Sequence, residues 1–170
     1  LHQARIMKLH IIGQGVIGTA TGSGWARFGH SVTYSDVGDD PGAVEADLYF
    51  ICTPEEAVEE VVAELAKKGR TRLVIRASVP PGTTQGLAET YKHVVICHNP
   101  DFLREAVAES EFLHANRALI GVSYPSEKED FNSLALLYEQ MQVSVTFCAS
   151  QVSEMVKLLT NAYLATLLSF

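Results

Sequence analysis

The sequence predicts an α/β protein on a doubly wound, mainly parallel sheet, shortened after its second strand and followed by a C-terminal helix. Three observations carry that prediction. Short apolar runs alternate with amphipathic stretches along the whole chain. Most of those runs are continuous rather than alternating, as in strands buried on both faces. A glycine-rich turn, GQGVIG, joins the first run to the first amphipathic stretch. Strand followed by helix, repeated, implies right-handed crossovers and helices on both faces of one sheet.

The elements follow in chain order. Lys8–Ile12 is the first strand, the helix over Val16–Phe28 opens on the glycines, and Ser31–Ser35 is the second strand. Only Val37–Asp47 then separates it from the next run, Leu48–Cys52. About ten residues reach roughly 33 Å when extended, enough to cross the sheet but too few for another helix and strand. The second strand is therefore expected at a sheet edge, with one helical turn near Pro41–Glu45 making the crossing. Helices are predicted over Pro54–Lys68, Thr83–Tyr91 and Ser126–Met141, the last with Ser126 placed to cap Glu129. Strands are predicted over Leu73–Ala77, Val94–Cys97, Ala118–Val122 and Val143–Phe147. Residues 1–150 read as one domain, and residues 151–170 as the start of a further helix rather than a second domain. There is no internal repeat, low-complexity tract or long linker.

Composition narrows the function classes. The chain has 170 residues and a net charge of −7, which argues against a nucleic-acid partner; an anionic ligand has to be held by local dipoles and a few arginines. The three cysteines, Cys52, Cys97 and Cys148, stand singly and suit reduced thiols in a cytoplasmic protein. No metal-ligand spacing appears. No apolar run reaches membrane-spanning length, so no membrane partner is expected, and LHQARIM lacks the pattern of a signal peptide. Met7 is the expected natural start.

GQGVIG gains meaning from its place after a strand, at the head of a helix, with a second strand ending at Asp36. Gly13 permits the tight turn, Gly15 admits a pyrophosphate to the backbone, and Gly18 lets helix press on strand. Gln14, Val16 and Ile17 present free N–H groups to the anion. Asp36 would accept from an adenosine ribose and repel a 2′-phosphate, favouring NAD over NADP. A glycine turn that merely packs helix on sheet is the alternative. Ligands of such sheets sit beyond the strand C-termini, where three stiff polar loops lie: Cys52-Thr53-Pro54, the run from Ser78 and Val79 to Thr84, and His98-Asn99-Pro100. Ordinary turn chemistry accounts for any one of them.

Gly13–Gly18, Ser78–Thr84, NPDFLREA (Asn99–Ala106) with AESEFLHANRALIG, and EMVKLLTNAYLATLLSF together resemble the UDP-glucose/GDP-mannose dehydrogenase family over about Met7–Phe170. The resemblance implies a Rossmann-type NAD domain and the start of a long central helix that, in the family, joins two domains and forms the dimer contact. It implies oxidation of a sugar C6 alcohol on a nucleotide sugar to a carboxylate in two hydride transfers to NAD. The second transfer acts on a cysteine-bound thiohemiacetal, and water then hydrolyses a thioester. Lys157 and Asn161 match the family's polar pair on that helix; their i, i+4 spacing puts both on one face. Glu105 matches a glutamate associated with acid/base work, and Ser78 stands where the family usually has threonine. Asn99, Phe102, Leu103 and Arg104 fall in the segment that lies along the sugar nucleotide. Cys52, Thr53, Pro54, Ser78 and Val79 fall on the cofactor side. The residues alone also fit a solvated helix face for Lys157 and Asn161, and a surface ion pair between Arg104 and Glu105.

One departure is expected to matter. The sequence reaches Phe170 inside the predicted helix, so the family's nucleophilic cysteine segment and second, UDP-binding domain lie outside it. Cys52, Cys97 and Cys148 each belong to or border a strand well before that helix, so none replaces the nucleophile. Two other readings stay open: a short β-hydroxyacid-type dehydrogenase, which shares a helical Lys-x-x-x-Asn, and a non-catalytic NAD-binding module. The leucines of the final helix exceed what one small domain can cover, so a homodimer through it is expected.

Overall fold

Strands apolar on both sides need cover on both sides, and the structure, a computed structural model describing residues 5–69 and 71–168, supplies it. The strands are β1 (Lys8–Ile12), β2 (Ser31–Ser35), β3 (Leu48–Ile51), β4 (Arg72–Ile75), β5 (Val95–His98), β6 (Arg117–Val122) and β7 (Ser144–Ala149). They form one seven-stranded sheet in the order β2-β1-β3-β4-β5-β6-β7. The helices are α1 (Val16–Arg27), α2 (Glu55–Lys67), α3 (Thr83–Thr90), α4 (Ala108–Leu113), α5 (Asn132–Gln140) and α6 (Ser150–Leu168). Leu9, Ile11, Phe50 and Val74 turn to one face and meet Trp25, Phe112, Leu134 and Tyr138 from α1, α4 and α5. Ile12, Ile51, Leu73 and Ile96 turn to the other, against Val58, Val62, Leu65 and Leu87 of α2 and α3. Trp25 anchors the first layer, edge-on to Phe112 at 5.0 Å and to Tyr138 at 5.1 Å between ring centroids.

Every expected strand is present, and β2 lies at the sheet edge beside β1 as the short crossing requires. The ends shift by a residue or two: Cys52 and Ala77 lie beyond β3 and β4, and His98 closes β5. The β5–β6 pair is antiparallel, with Cys97 opposite Val122 and His98 opposite Gly121; the other neighbouring pairs are parallel. A fold with one reversed step still reads as mainly parallel, because run composition carries no direction.

Three local expectations are corrected. The crossing at 37–47 contains turns and no helical turn at Pro41–Glu45. It is held instead by polar ties: Asp47 N–H donates to the Lys8 carbonyl at 2.7 Å, Lys8 N–H to the Asp47 carboxylate at 2.8 Å, and Lys68 pairs with Asp40 at 2.9 Å. The single helix over Ser126–Met141 is a 3₁₀ segment, Pro125–Phe131, leading into α5. Its cap is the Glu127 carboxylate, which accepts from Ser123 and Tyr124 N–H at 2.9 and 3.0 Å, rather than a Ser126–Glu129 box. A short 3₁₀ turn at Glu105–Val107 and α4 were not anticipated, because six residues are too few to show a period. The expected helix through Phe170 is seen to Leu168, and residues 169 and 170, like 1–4, lie outside the described residues.

Candidate active site

The turn after β1 is shaped by two glycines that pack and one that does not. Gly13 has φ +96°, donates to the Ser35 carbonyl at 2.9 Å, and a Cβ there would meet the Cys52 carbonyl oxygen at 2.8 Å. A Cβ on Gly18 would run into the Gly13 carbonyl. Gly15 differs: its φ is −66°, and nothing lies within 4 Å of where its Cβ would stand. It caps α1 with no side chain and no acid in the first turn, leaving the first N–H groups to the open space. That space is a groove of about 980 Å³ lined by Gln14, Gly15, Val16, Thr19 and Glu105 among others. Asp36, exposed just past β2, accepts Val37 N–H on one carboxylate oxygen at 2.9 Å.

The second half of the site is assembled by α6. Glu154, wholly buried, takes Gly82 N–H at 2.6 Å on one oxygen, and Thr84 N–H and hydroxyl at 2.8 and 2.6 Å on the other. It supplies the anion that the first turn of α3 lacks, and so fixes the Ser78–Thr84 loop to α6. One turn on, Lys157 donates to the Asp101 carbonyl at 2.6 Å and to its carboxylate at 3.2 Å, both side chains buried. Asn161 donates to the Ser78 hydroxyl at 3.3 Å. His98, behind this rim, faces the Ala77 carbonyl with Nε2 at 3.1 Å and the Ser153 hydroxyl with Nδ1 at 2.8 Å. Burial pulls its pKa down to about 4, so it serves as a neutral hydrogen-bonding joint.

Among the expected residues, Ser78, Lys157 and Asn161 stand together, whereas Glu105 sits on the short 3₁₀ turn facing the glycine groove. The carboxylate against Lys157 is Asp101, four residues earlier in NPDFLREA. Arg104 pairs with Glu111 at 2.6 Å rather than with Glu105. Phe102 is exposed, its ring 5.8 Å from Lys157 Nζ, and Leu103 is half-buried. The Asn99 side chain turns inward, accepting from Arg76 and the Tyr138 hydroxyl at 2.6 and 2.7 Å and donating to the Leu119 carbonyl at 2.7 Å. Val79 is buried in the core, Pro54 precedes α2, and the Thr53 hydroxyl is buried without a partner. Burial pushes the Cys52 thiol up to about 12 and the Cys97 thiol well above its usual range. Asp101, Glu154 and Arg76 were not singled out by sequence reasoning, and His98 was placed in its loop without a role; the one visible signal for Arg76 was the charge that ends the apolar run LVIR.

The family model described as the UDP-glucose/GDP-mannose dehydrogenase family, NAD binding domain, matches residues 38–142. The chain belongs to that family. Within it, the UDP-glucose 6-dehydrogenase YwqF of Bacillus subtilis is 27% identical over 96% of this chain and 49% of its own length. That alignment runs over 221 positions, more than the whole chain contains, so the relative carries residues without a counterpart here. A UDP-glucose dehydrogenase from Pyrobaculum islandicum superposes with a TM-score of 0.84 at 21% identity, covering 97% of this chain and 51% of that one. A 3-hydroxyisobutyrate dehydrogenase from Mycobacterium tuberculosis shares the fold with a TM-score of 0.73 at 14% identity, covering 95% of this chain and 61% of that one. The chain thus spans about half the length of the Bacillus and Pyrobaculum proteins. NAD is the cofactor of the family's matched domain, and the open Cβ position at Gly15, the uncapped α1 N-terminus and Asp36 form a donor and acceptor set that fits it. No described helix is long and apolar enough to cross a membrane.

Proposed function

We propose that this chain is the NAD-binding portion of a nucleotide-sugar 6-dehydrogenase that removes hydride from a sugar C6 alcohol. The observation that carries the reading is the pairing of Lys157 with Asp101 and of Asn161 with Ser78 on one rim of the sheet. NAD, held by Gly13–Gly18 and Asp36 with Cys52, Thr53 and Pro54 along its far side, would supply the hydride acceptor. Lys157 and Asn161 would hold the C6 oxygen between an ammonium and an amide as negative charge develops on it. Asp101 keeps that ammonium aimed, Ser78 orders a water, and Glu105 works as acid or base from the glycine side of the groove. Asn99, through its backbone, and Phe102, Leu103 and Arg104 wall off the sugar. With the Cys52 and Cys97 thiols held protonated by burial, the thioester half of a four-electron oxidation would draw its nucleophile from another domain or chain. The protein would work in the reducing cytoplasm, as a homodimer joined through α6, residues 151–170 being the start of the family's central helix.

Calorimetric titration with NAD, then with UDP-glucose and GDP-mannose, tests this reading on wild type, Lys157→Met and Glu105→Ala. NAD binding in all three, with sugar-nucleotide binding weakened in Lys157→Met, supports it; a wild type that binds no NAD overturns it. The shared fold with a 3-hydroxyisobutyrate dehydrogenase favours one other reading, a short hydroxy-acid dehydrogenase. NADH formed on a 3-hydroxy acid and absent with UDP-glucose would select it. A non-catalytic module would bind NAD and turn over neither.

A further inference from the structure

We propose that the cavity beneath the Pro100–Leu103 loop is a second ligand site, apart from the dinucleotide groove and sharing its Phe102 and Leu103 wall with the sugar rim, that takes a small carboxylate with an apolar body. The argument starts at Arg76, one residue past β4 and 2% exposed. Its Nη1 donates to Asn99 at 2.6 Å and to the Tyr138 hydroxyl at 3.0 Å, both uncharged. Its Nε has no acceptor, and no carboxylate among the described residues forms an ion pair with it. The nearby carboxylate, Asp101, gives its Oδ1 to Lys157 at 3.2 Å and to Leu103 N–H at 3.3 Å, and acts on Arg76 only as a neighbouring charge with no hydrogen bond to it. A buried cation with unmet donors is costly unless an anion completes it.

Space for such an anion is present. Arg76 lines a cavity of about 650 Å³, a volume suited to a small ligand. Phe102, Phe112 and Val156 give it apolar walls, and Asn116, Arg117 and two carboxylates already paired, Asp101 with Lys157 and Glu111 with Arg104, give it polar ones. Arg117 is exposed and forms no ion pair among the described residues, adding a second positive charge. Val156 and Thr160 face this cavity, each one residue before Lys157 and Asn161, which do not line it. One residue turns a helix by about 100°, so α6 presents different residues to the cavity and to the rim. Apolar walls above a guanidinium favour an aromatic or branched carboxylate over a bare phosphate.

Calorimetry and amide chemical-shift mapping on the full chain test this with benzoate, phenylacetate, benzamide and inorganic phosphate. Benzoate or phenylacetate should bind saturably, shift the amides of Asn116, Leu119 and Phe102, and exceed benzamide and phosphate by about ten-fold in affinity. Arg76→Gln should remove that preference. Because Arg76 also anchors Asn99 and Tyr138, Ala115→Trp, which fills the cavity from a loop position, is the second variant. It should abolish carboxylate binding while leaving the thermal midpoint and NAD binding unchanged. No saturable binding by the folded wild type, equal affinity for benzamide, a preference for phosphate, or binding that survives Ala115→Trp would each overturn the proposal. NAD titration of the same preparations keeps this outcome apart from that of the dehydrogenase reading.

Discussion

Gly15 and Gly18 share a motif but answer to different constraints, and substitution separates them. At Gly15 a side chain meets no protein atom and the backbone is in a region open to any residue, so Gly15→Val should leave the thermal midpoint unchanged. NAD affinity, measured by calorimetry, should fall at least about ten-fold, because the valine occupies the pyrophosphate's place. Gly18→Ala, which collides with the Gly13 carbonyl, should instead lower stability. His98 gives the second prediction. Its folded pKa of about 4 lies below the ordinary value of about 6.5, so as pH falls the unfolded chain binds the proton first. The stability it contributes is full above about pH 6.5, declines through the interval and is lost below about pH 4, for a total of about 3 kcal/mol. Urea unfolding at pH 7, 5.5 and 4 should show that slope, and His98→Gln should flatten it. At this scale the sequence told residue types and helix phase, so the shared face of Lys157 and Asn161 was legible, while a role for them and for Ser78 was expected only from the family resemblance. It could not tell which carboxylate of NPDFLREA turns inward. Asp101 does so because Lys157 reaches it from 56 positions away, and Glu105 is carried off by a 3₁₀ turn too short to read.

Between elements, one short tie is the Glu154 carboxylate on the N-terminus of α3. Glu154→Gln exchanges one acceptor oxygen for a donor facing donors, and should cost about 2 kcal/mol in urea unfolding. Hydrogen exchange should quicken at the Gly82 and Thr84 amides more than at the β4 amides, since the loop loses its anchor before the sheet does. Equal acceleration in both would mean that the carboxylate holds the whole fold rather than this joint. The shortened crossing was legible because chain length alone forbids a helix and a strand between Asp36 and Leu48. Its replacement was not. With no helix over that corner, His10 meets the Thr33 and Ser35 hydroxyls at 2.7 and 3.1 Å, and the turns are pinned by Asp47, Asp40 and the Tyr49 hydroxyl. These are side-chain pairings that no local periodicity encodes.

For the whole molecule, the proposed homodimer rests on the exposed apolar stripe of α6. Val152, Met155, Leu159, Tyr163 and Leu167 are 50, 44, 60, 64 and 56% exposed and recur every three or four residues, a stripe wide enough to seat a second copy. Light scattering at micromolar concentration should give a dimer for the wild type and a monomer for Leu159→Glu/Tyr163→Glu. A wild type that is monomeric there would remove the homodimer from the proposed function. That the helix existed was plain from its sequence; that one face of its first half, Ser150, Ser153, Glu154 and Lys157, is buried while residues 161–167 are exposed followed only from the reversed β6 and the polar clamps. The clamps have a mechanical consequence. Glu154 and Lys157 grip the base of α6, and about 16 Å of helix extends beyond Lys157, at 1.5 Å per residue. A 5° tilt of α6 about Lys157 displaces Leu168 by roughly 1.4 Å over that length. The same tilt pulls on Asp101 and on the Ser78–Thr84 loop together, so a load on the outer part of α6 registers as strain at both ends of the rim.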